Sequence, residues 1–525
     1  MNAFACATSR LVLLVVLALV QPACAFAAEA AKQRFDVYEY QVEGNTVLPT
    51  EAIERAVYPF MGEGRDIDDV ERARVALETA YRDAGFGTVG VDIPPHKVVS
   101  GVVRLNVVQG RIARLRVVGA RYSSQERILE LVPALAEGSV PNLGEAQKQL
   151  ALVNTSPDER VTPMLRPGRQ PGTTEVDLQV QDELPLHGGI EVNNGHAADT
   201  TQLRTSANLR YGNLFQLGHA IGLQVQTSPE EPSQVKVFVG TYTLPLAGGT
   251  LLLSAVKSDS STYVGESDLG VFSSGKVLGG RYVLPLPTDK PTEFQQTLTL
   301  GADWKSSTQA VGTDASGYTP LHYIPLSASY AATTFDKSGS TEYGVGVVLG
   351  VRDFGSRQQQ FQDKRYRAHS DFSLLKFNFA RTQKLPGDTS LYAEIEGQAT
   401  GDPLVSNEEY VAGGQDSVRG YLESAAVGDT ALRGALEFRT PNLRPESARF
   451  EFLQFRTFFD TAWLHTISPL PGTPGAYKLS SYGLGLTARA KPGFNLRADL
   501  AWPMNTVGAA QAYQTHVQAS AAYQF

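Results

Sequence analysis

The chain has 525 residues, 42% of them hydrophobic and 19% charged, with a formal net charge of −8. That balance excludes a disordered chain and disfavours a general nucleic-acid binder, which needs basic density to neutralise phosphates. Length suggests two to four domains. The 49 Gly, 21 Tyr and 23 Phe fit a β-rich protein better than a helical one.

The first 27 residues read as a targeting segment. Arg10 supplies a positive start, 11–20 is an unbroken apolar run, and Ala23-Cys24-Ala25 and Ala25-Phe26-Ala27 are small-x-small cleavage sites. The run is too short for a membrane helix. Both cysteines, Cys6 and Cys24, lie in this leader, so the mature chain is expected to hold no disulfide and no thiol-based metal site. Residues 28–34 form a short segment before the first strand.

Residues 35–109 and 110–183 read as one α+β pattern used twice. In the first copy, 35–42 is a strand with Tyr38, Tyr40 and Val42 on one face, ending at Glu43-Gly44-Asn45. Thr50 is placed to cap a short helix ending near Tyr58. Asp66 is placed to cap a longer one, periodic through Val70, Ala73, Leu77 and Ala80. Gly85-Phe86-Gly87 ends it, and 88–93 and 102–108 are strands. The second copy has strands at 112–118, 160–165 and 174–180 and helices at 123–131 and 143–153.

From about residue 184 onward the helical period gives way to period-2 alternation. Leu203, Thr205, Ala207, Leu209 and Tyr211 alternate with polar Arg204, Ser206, Asn208 and Arg210. Leu391, Ala393 and Ile395 alternate with Tyr392, Glu394 and Glu396, and Phe494, Leu496, Ala498, Leu500 and Trp502 with Asn495, Arg497 and Asp499. About sixteen such strands predict a transmembrane antiparallel β-barrel over 184–525, with Tyr211, Trp502 and Tyr523 as interfacial aromatics. Short turns at Gly212-Asn213-Leu214-Phe215, Leu246-Ala247-Gly248-Gly249 and Lys491-Pro492-Gly493 fall at inner positions. Long loops over 402–429 and 464–478 fall at outer ones. The last strand alternates through Tyr513, Thr515, Val517, Ala519, Ala521, Tyr523 and Phe525, and its terminal Tyr523 and Phe525 resemble the C-terminal sorting signal of outer-membrane barrels.

The loop after the eleventh strand contains Gly413-Gly414-Gln415-Asp416-Ser417-Val418-Arg419-Gly420-Tyr421. A specified Val-Arg-Gly-Tyr arises by chance in only about 0.5% of chains this long. Two strands later comes Phe458-Phe459-Asp460. With two POTRA-like domains ahead of the barrel, and Leu165-Arg166-Pro167-Gly168 in the second, the whole mature chain resembles the TpsB transporters of two-partner secretion, the haemolysin-activation and filamentous-haemagglutinin exporters.

The resemblance implies that the loop folds back into the lumen and that Val418, Arg419, Gly420 and Tyr421 meet Phe458 and Asp460 on the wall. Alternation along 451–460 agrees. Leu453, Phe455, Thr457 and Phe459 fit the lipid face, and Gln454, Arg456, Phe458 and Asp460 the lumen. Gly420 permits a tight turn, and arginine presents a planar fork to a carboxylate. In one respect the sequence departs from the family. Fewer than about ten residues separate leader cleavage from Phe35, whereas a plug helix crossing ~30 Å needs about 20. Such a plug is expected to be absent.

No catalytic or metal motif stands out. His96, His187, His196, His219, His322, His369, His465 and His516 show no metal-ligand spacing, and no Gly-x-Ser-x-Gly or Walker loop occurs. Gly344-Val345-Gly346 reads as small lumen residues in a strand. The reading is a cofactor-free, non-enzymatic outer-membrane pore with its POTRA domains in the periplasm. It recognises an unfolded exoprotein there and passes it outward. Its other partners are outer-membrane lipid and, during biogenesis, the barrel-assembly machinery; nucleic acid is not one. The client site is expected at the edge strand carrying Thr88, Val91 and Ile93, beside the helix that follows Asp66, where unpaired backbone groups and an apolar groove suit an extended peptide. The alternatives are a barrel insertase, a porin or an outer-membrane hydrolase. A neighbouring gene for a large β-helical exoprotein would separate the first reading from the insertase.

Overall fold

The computed structural model describes residues 34–95, 97–154, 156–198, 200–246, 248–259, 275–307, 320–444 and 450–525. The expected leader, and the short segment 28–34 except for its last residue, lie outside the described residues. The chain divides into two compact units, one of α+β elements and one dominated by strands.

In the first unit, strand Val102–Gln109 lies between Glu39–Glu43, parallel to it, and Val89–Asp92, antiparallel to it. Its alternate residues Val103, Leu105 and Val107 are buried against Val70, Ala73, Leu77 and Tyr81 of helix Ile67–Asp83. Each such large apolar side chain contributes roughly 1.5–3 kcal/mol. The long helix begins as its sequence predicts. The Asp66 side chain accepts from the Asp69 amide at 3.0 Å and the Asp69 side chain from the Asp66 amide at 3.1 Å, a reciprocal cap. The short helix does not. Thr50 is its first residue, Pro49 precedes it, and no side chain caps it. Nor is 35–42 a single strand. Phe35–Val37 pairs with an unforeseen strand, Gly62–Arg65, and Glu39–Glu43 belongs to a different sheet. The break falls at Tyr38, where the amides of Tyr38 and Glu39 both donate to the Gly101 carbonyl. Tyr38 therefore leaves the face it was expected to share with Tyr40 and is exposed, while Tyr40 is buried.

A second sheet places Thr173–Asp182 between Arg111–Val118, parallel, and Glu159–Pro167. Helices Gln125–Leu131 and Leu143–Val153 complete the pattern, the first starting two residues later than the sequence suggests.

Among the described residues of the second unit, sixteen antiparallel strands close into one barrel in chain order, from Leu186–Asn193 to His516–Gln524, which pair with each other. Closure removes the unpaired edge that hydrocarbon would punish. Alternation sorts the faces as read. Leu209, Ile395, Leu496 and Leu500 are exposed on the outside, and Ser206, Asn208, Glu394 and Glu396 line the interior. Gly344 and Gly346 also face the interior. Strands lie two to four residues apart at the three short turns and much further apart across 401–429. Outward aromatics pair at the ends, with Phe494 and Tyr523 tilted together at 4.8 Å between centroids and Tyr482 and Trp502 stacked at 5.6 Å. The final strand is shorter than its alternation implies, because Tyr513 adopts a positive φ of 64° and pairing starts only at His516.

Candidate functional site

The loop between strands Ser390–Thr400 and Thr430–Arg439 enters as a small hairpin, Tyr410–Ala412 paired with Ala426–Gly428. Its tip, 413–425, turns into the barrel. Two glycines make the turn possible. Gly414 has φ 108°, and a Cβ there would strike the Glu423 carboxylate; Gly420 has φ 87°, and a Cβ there would press on Ala501 and Pro503 at 3.0–3.4 Å, inside ordinary contact. Val418 and Tyr421 are fully buried among Ala412, Ala431, Ala462, Leu464 and Leu479.

Between these apolar neighbours lies Arg419. Its Nε donates to Asp460 Oδ2 at 2.7 Å and its Nη2 to Asp460 Oδ1 at 2.8 Å, while its backbone amide donates to Oδ2 at 3.2 Å. The remaining Nη1 donates to Glu437 Oε1 at 2.7 Å. The guanidinium lies 3.6 Å from the centroid of the Phe458 ring. Asp460 has no exposed surface and the Arg419 side chain only 4%. In water a pair like this is worth little, but here both charges are desolvated and held by several hydrogen bonds, so losing one partner is costly. Just after the arginine, Gln518 accepts from the Gly420 amide at 3.0 Å and donates to the Tyr421 carbonyl at 2.9 Å. The Tyr421 hydroxyl lies 3.0 Å from the Ser480 carbonyl.

Sequence reasoning brought Arg419, Asp460 and Phe458 together but missed Glu437. Strand parity held the signal, because Arg433, Glu437 and Arg439 share the lumen face of Thr430–Arg439, and Glu437 pairs across to Phe458. It also missed a second attachment. Glu408, on the first limb of the loop and 4% exposed, accepts from Lys305 Nζ at 2.6 Å and from the Tyr323 hydroxyl at 2.7 Å. Lys305 and Tyr323 sit on barrel strands seven and eight, Phe294–Ser307 and Leu321–Asp336. Asp460 sits on strand thirteen, Phe450–His465. The loop is thus fastened to well-separated stretches of wall and crosses the lumen between them. Asp429 closes its base, accepting from the amides of Leu404 at 2.7 Å and Ile467 at 2.6 Å. The space left beside the loop is a polar cavity of about 1030 Å³.

The other site residues lie elsewhere. Val89–Asp92 is an edge strand, as expected, but Val91 is 2% exposed and its carbonyl already accepts from Arg74 of the neighbouring helix at 3.2 Å. Thr88 precedes the strand, and Ile93 packs partly buried on the core. Tyr523 and Phe525 end the last strand, and Phe525 exchanges backbone hydrogen bonds with Gly188 of the first.

A POTRA-type unit, a closed sixteen-strand barrel and an inward loop bonded through Arg419 to the wall define a POTRA-bearing outer-membrane barrel protein. Comparison with known proteins narrows this. The family described as haemolysin secretion/activation protein ShlB/FhaC/HecB matches residues 172–488, and the ShlB-type POTRA domain matches residues 35–110. The heme/hemopexin transporter protein HuxB of Haemophilus influenzae is 19% identical over 496 residues, covering 92% of this chain and 86% of its own. The solved structure of CdiB from Escherichia coli is similar with a TM-score of 0.65 at 19% identity, over 95% of this chain and 92% of that one. CdiB from Acinetobacter baumannii follows at 0.59 and 16%, over 94% and 90%. The chain belongs to the ShlB/FhaC/HecB family of haemolysin secretion/activation proteins. It is an outer-membrane secretion pore for a partner exoprotein, with its POTRA domains in the periplasm.

Proposed function

We propose that the protein comprises two periplasmic POTRA domains over 35–109 and 110–183, which receive an unfolded exoprotein, and a barrel over 184–525, which passes it outward as an extended chain. No chemical bond is made or broken. The client is first held along the edge strand Val89–Asp92, at Thr88, Val91 and Ile93, through edge backbone groups other than the Val91 carbonyl, which already accepts from Arg74. It then passes through the polar lumen. The Arg419 loop is the moving part that sets how much of that lumen is open. The single observation that carries this reading is the buried contact of Arg419 with Asp460 and Glu437. It ties a loop tip to side chains on the barrel wall, so the loop has a docked state that can be left without breaking the pairing of the barrel strands with one another. Tyr523 and Phe525 serve recognition by the assembly machinery during biogenesis.

The test places a photo-crosslinking residue at lumen-facing Ser206 or Asn378, or at lipid-facing Leu209, in cells exporting the partner exoprotein. Crosslinks to the exoprotein from the two lumen positions and none from Leu209 are expected. The reverse pattern would remove the lumen as the route.

A further inference from the structure

Three consecutive barrel strands carry a charge arrangement on their outer surface, facing away from the lumen. Lys236 opens strand Lys236–Leu246, Lys257 is next to last in Gly249–Ser258, and Lys276 is second in Gly275–Pro285. Lys257 stands directly opposite Lys276 across the strand pair. Phe238 stands opposite Lys257, so Lys236 lies two residues further along the same face. The intervening Val237, Val256 and Val277 point inward and are buried, whereas all three lysines are exposed. Like charges directly opposed on adjacent strands are destabilising. Little on the protein offsets them. Asp259 approaches Lys257 at 3.8 Å, with both side chains about half exposed. Among the described residues Lys236 and Lys276 form no ion pair. The adjoining loop carries Glu230 and Glu231, and Glu231 accepts from Ser233 and Gln234.

Their level in the membrane identifies what does offset them. Along the same outer face, each row continues into exposed apolar side chains, Phe238 and Leu278, and ends at Tyr242 and Tyr282 near the inner turns. Lys236 and Tyr242 are six residues apart, roughly 20 Å along the strand. At the usual 35–45° tilt that is about 15 Å along the membrane normal, against an apolar band of about 25 Å. The lysine stems therefore start inside the outer part of the apolar band and snorkel their ammonium groups toward the outer headgroups. These strands have 10 or 11 residues, whereas Leu321–Asp336 and Gly339–Gly355 have 16 and 17, so this side of the barrel presents the shorter span. The client cannot be the counter-charge, because the lysines face away from the lumen.

We propose that Lys236, Lys257 and Lys276 form a binding site for the phosphate groups of a phosphorylated outer-leaflet glycolipid of the lipid A type. Each ammonium near an anionic lipid surface is worth about fivefold in affinity. The full-length protein is placed in phosphatidylcholine nanodiscs containing lipid A, dephosphorylated lipid A, or no glycolipid but added inorganic phosphate. Glycolipid retained after washing is measured by mass spectrometry, and heat stability by gel mobility. The wild type is expected to retain at least tenfold more lipid A than a Lys236→Gln/Lys257→Gln/Lys276→Gln variant, with no difference for the dephosphorylated form. The single variant Lys257→Gln adds a sign test. Without anionic lipid it should be at least as heat-stable as wild type, because the repulsion is gone, and with lipid A it should be less stable. Equal lipid A retention by wild type and triple variant, a Lys257→Gln defect that is the same in every lipid, or stabilisation by inorganic phosphate equal to that by lipid A would each overturn the site. None of these readouts depends on export.

Discussion

Removing Asp460 tests the docked loop most sharply. Asp460→Ala deletes the acceptor of three hydrogen bonds from Arg419. The arginine keeps Glu437 at 2.7 Å and the Phe458 ring, so the loss falls at the low end for a broken buried pair, about 3 kcal/mol. That is about two orders of magnitude in the ratio of docked to undocked loop. Arg419→Ala should cost more, about 4–5 kcal/mol, because it strands a carboxylate with no exposed surface, while Glu437 retains Arg439 at 2.7 Å. The double variant should therefore be no worse than Arg419→Ala, since it removes the stranded carboxylate as well. The chain's two cysteines, Cys6 and Cys24, both precede Phe35, so Ser417→Cys adds a thiol at the loop tip, with the unsubstituted chain as the labelling blank. Thiol labelling from outside should rise in the order wild type, Asp460→Ala, Arg419→Ala, with partner secretion falling in step and the barrel still heat-modifiable. Fully additive effects, or wild-type labelling in both single variants, would show that these residues do not act as a pair.

Glu408→Gln should free the first limb of the loop, leaving Lys305 buried without its carboxylate at a cost of about 1–3 kcal/mol. Single-channel conductance should rise while Ser417→Cys labelling changes less than in Arg419→Ala. Gly420→Ala places a side chain at φ 87° with Ala501 Cβ at 3.0 Å, so labelling of the tip should rise severalfold for about 1–2 kcal/mol of strain. Addition of an unfolded client segment should slow hydrogen exchange at 89–92, and unchanged exchange with client bound would rule out strand addition there. Val91→Pro would not serve this purpose, because the buried Val91 side chain is part of the domain core.

The barrel was legible because a side-chain period of two is written residue by residue. The outer-face residues Leu209, Ile395 and Leu500 and the inner-face residues Glu394 and Glu396 fall where alternation puts them. Arg419 and Asp460 were legible through a motif, not through physics, since 41 residues and two strands separate them. Glu437 was recoverable in principle from parity alone. Glu408 was not, because its partners on Phe294–Ser307 and Leu321–Asp336 depend on how far an irregular loop reaches across the lumen. In the first unit, Gly62–Arg65 has no apolar alternation to announce a strand, and it forms because Phe35–Val37 needs a neighbour. The split at Tyr38 depends on Gly101, more than sixty residues away, which no local pattern encodes.

This barrel exports a partner protein. The most direct measurement co-expresses the full-length chain with a candidate partner exoprotein in a Gram-negative host lacking both. The exoprotein is then quantified in culture medium and periplasm, with Arg419→Ala as the comparison at equal barrel abundance. The exoprotein should reach the medium only when the barrel is present, and should accumulate in the periplasm with Arg419→Ala. Equal release with and without the barrel would contradict the claim.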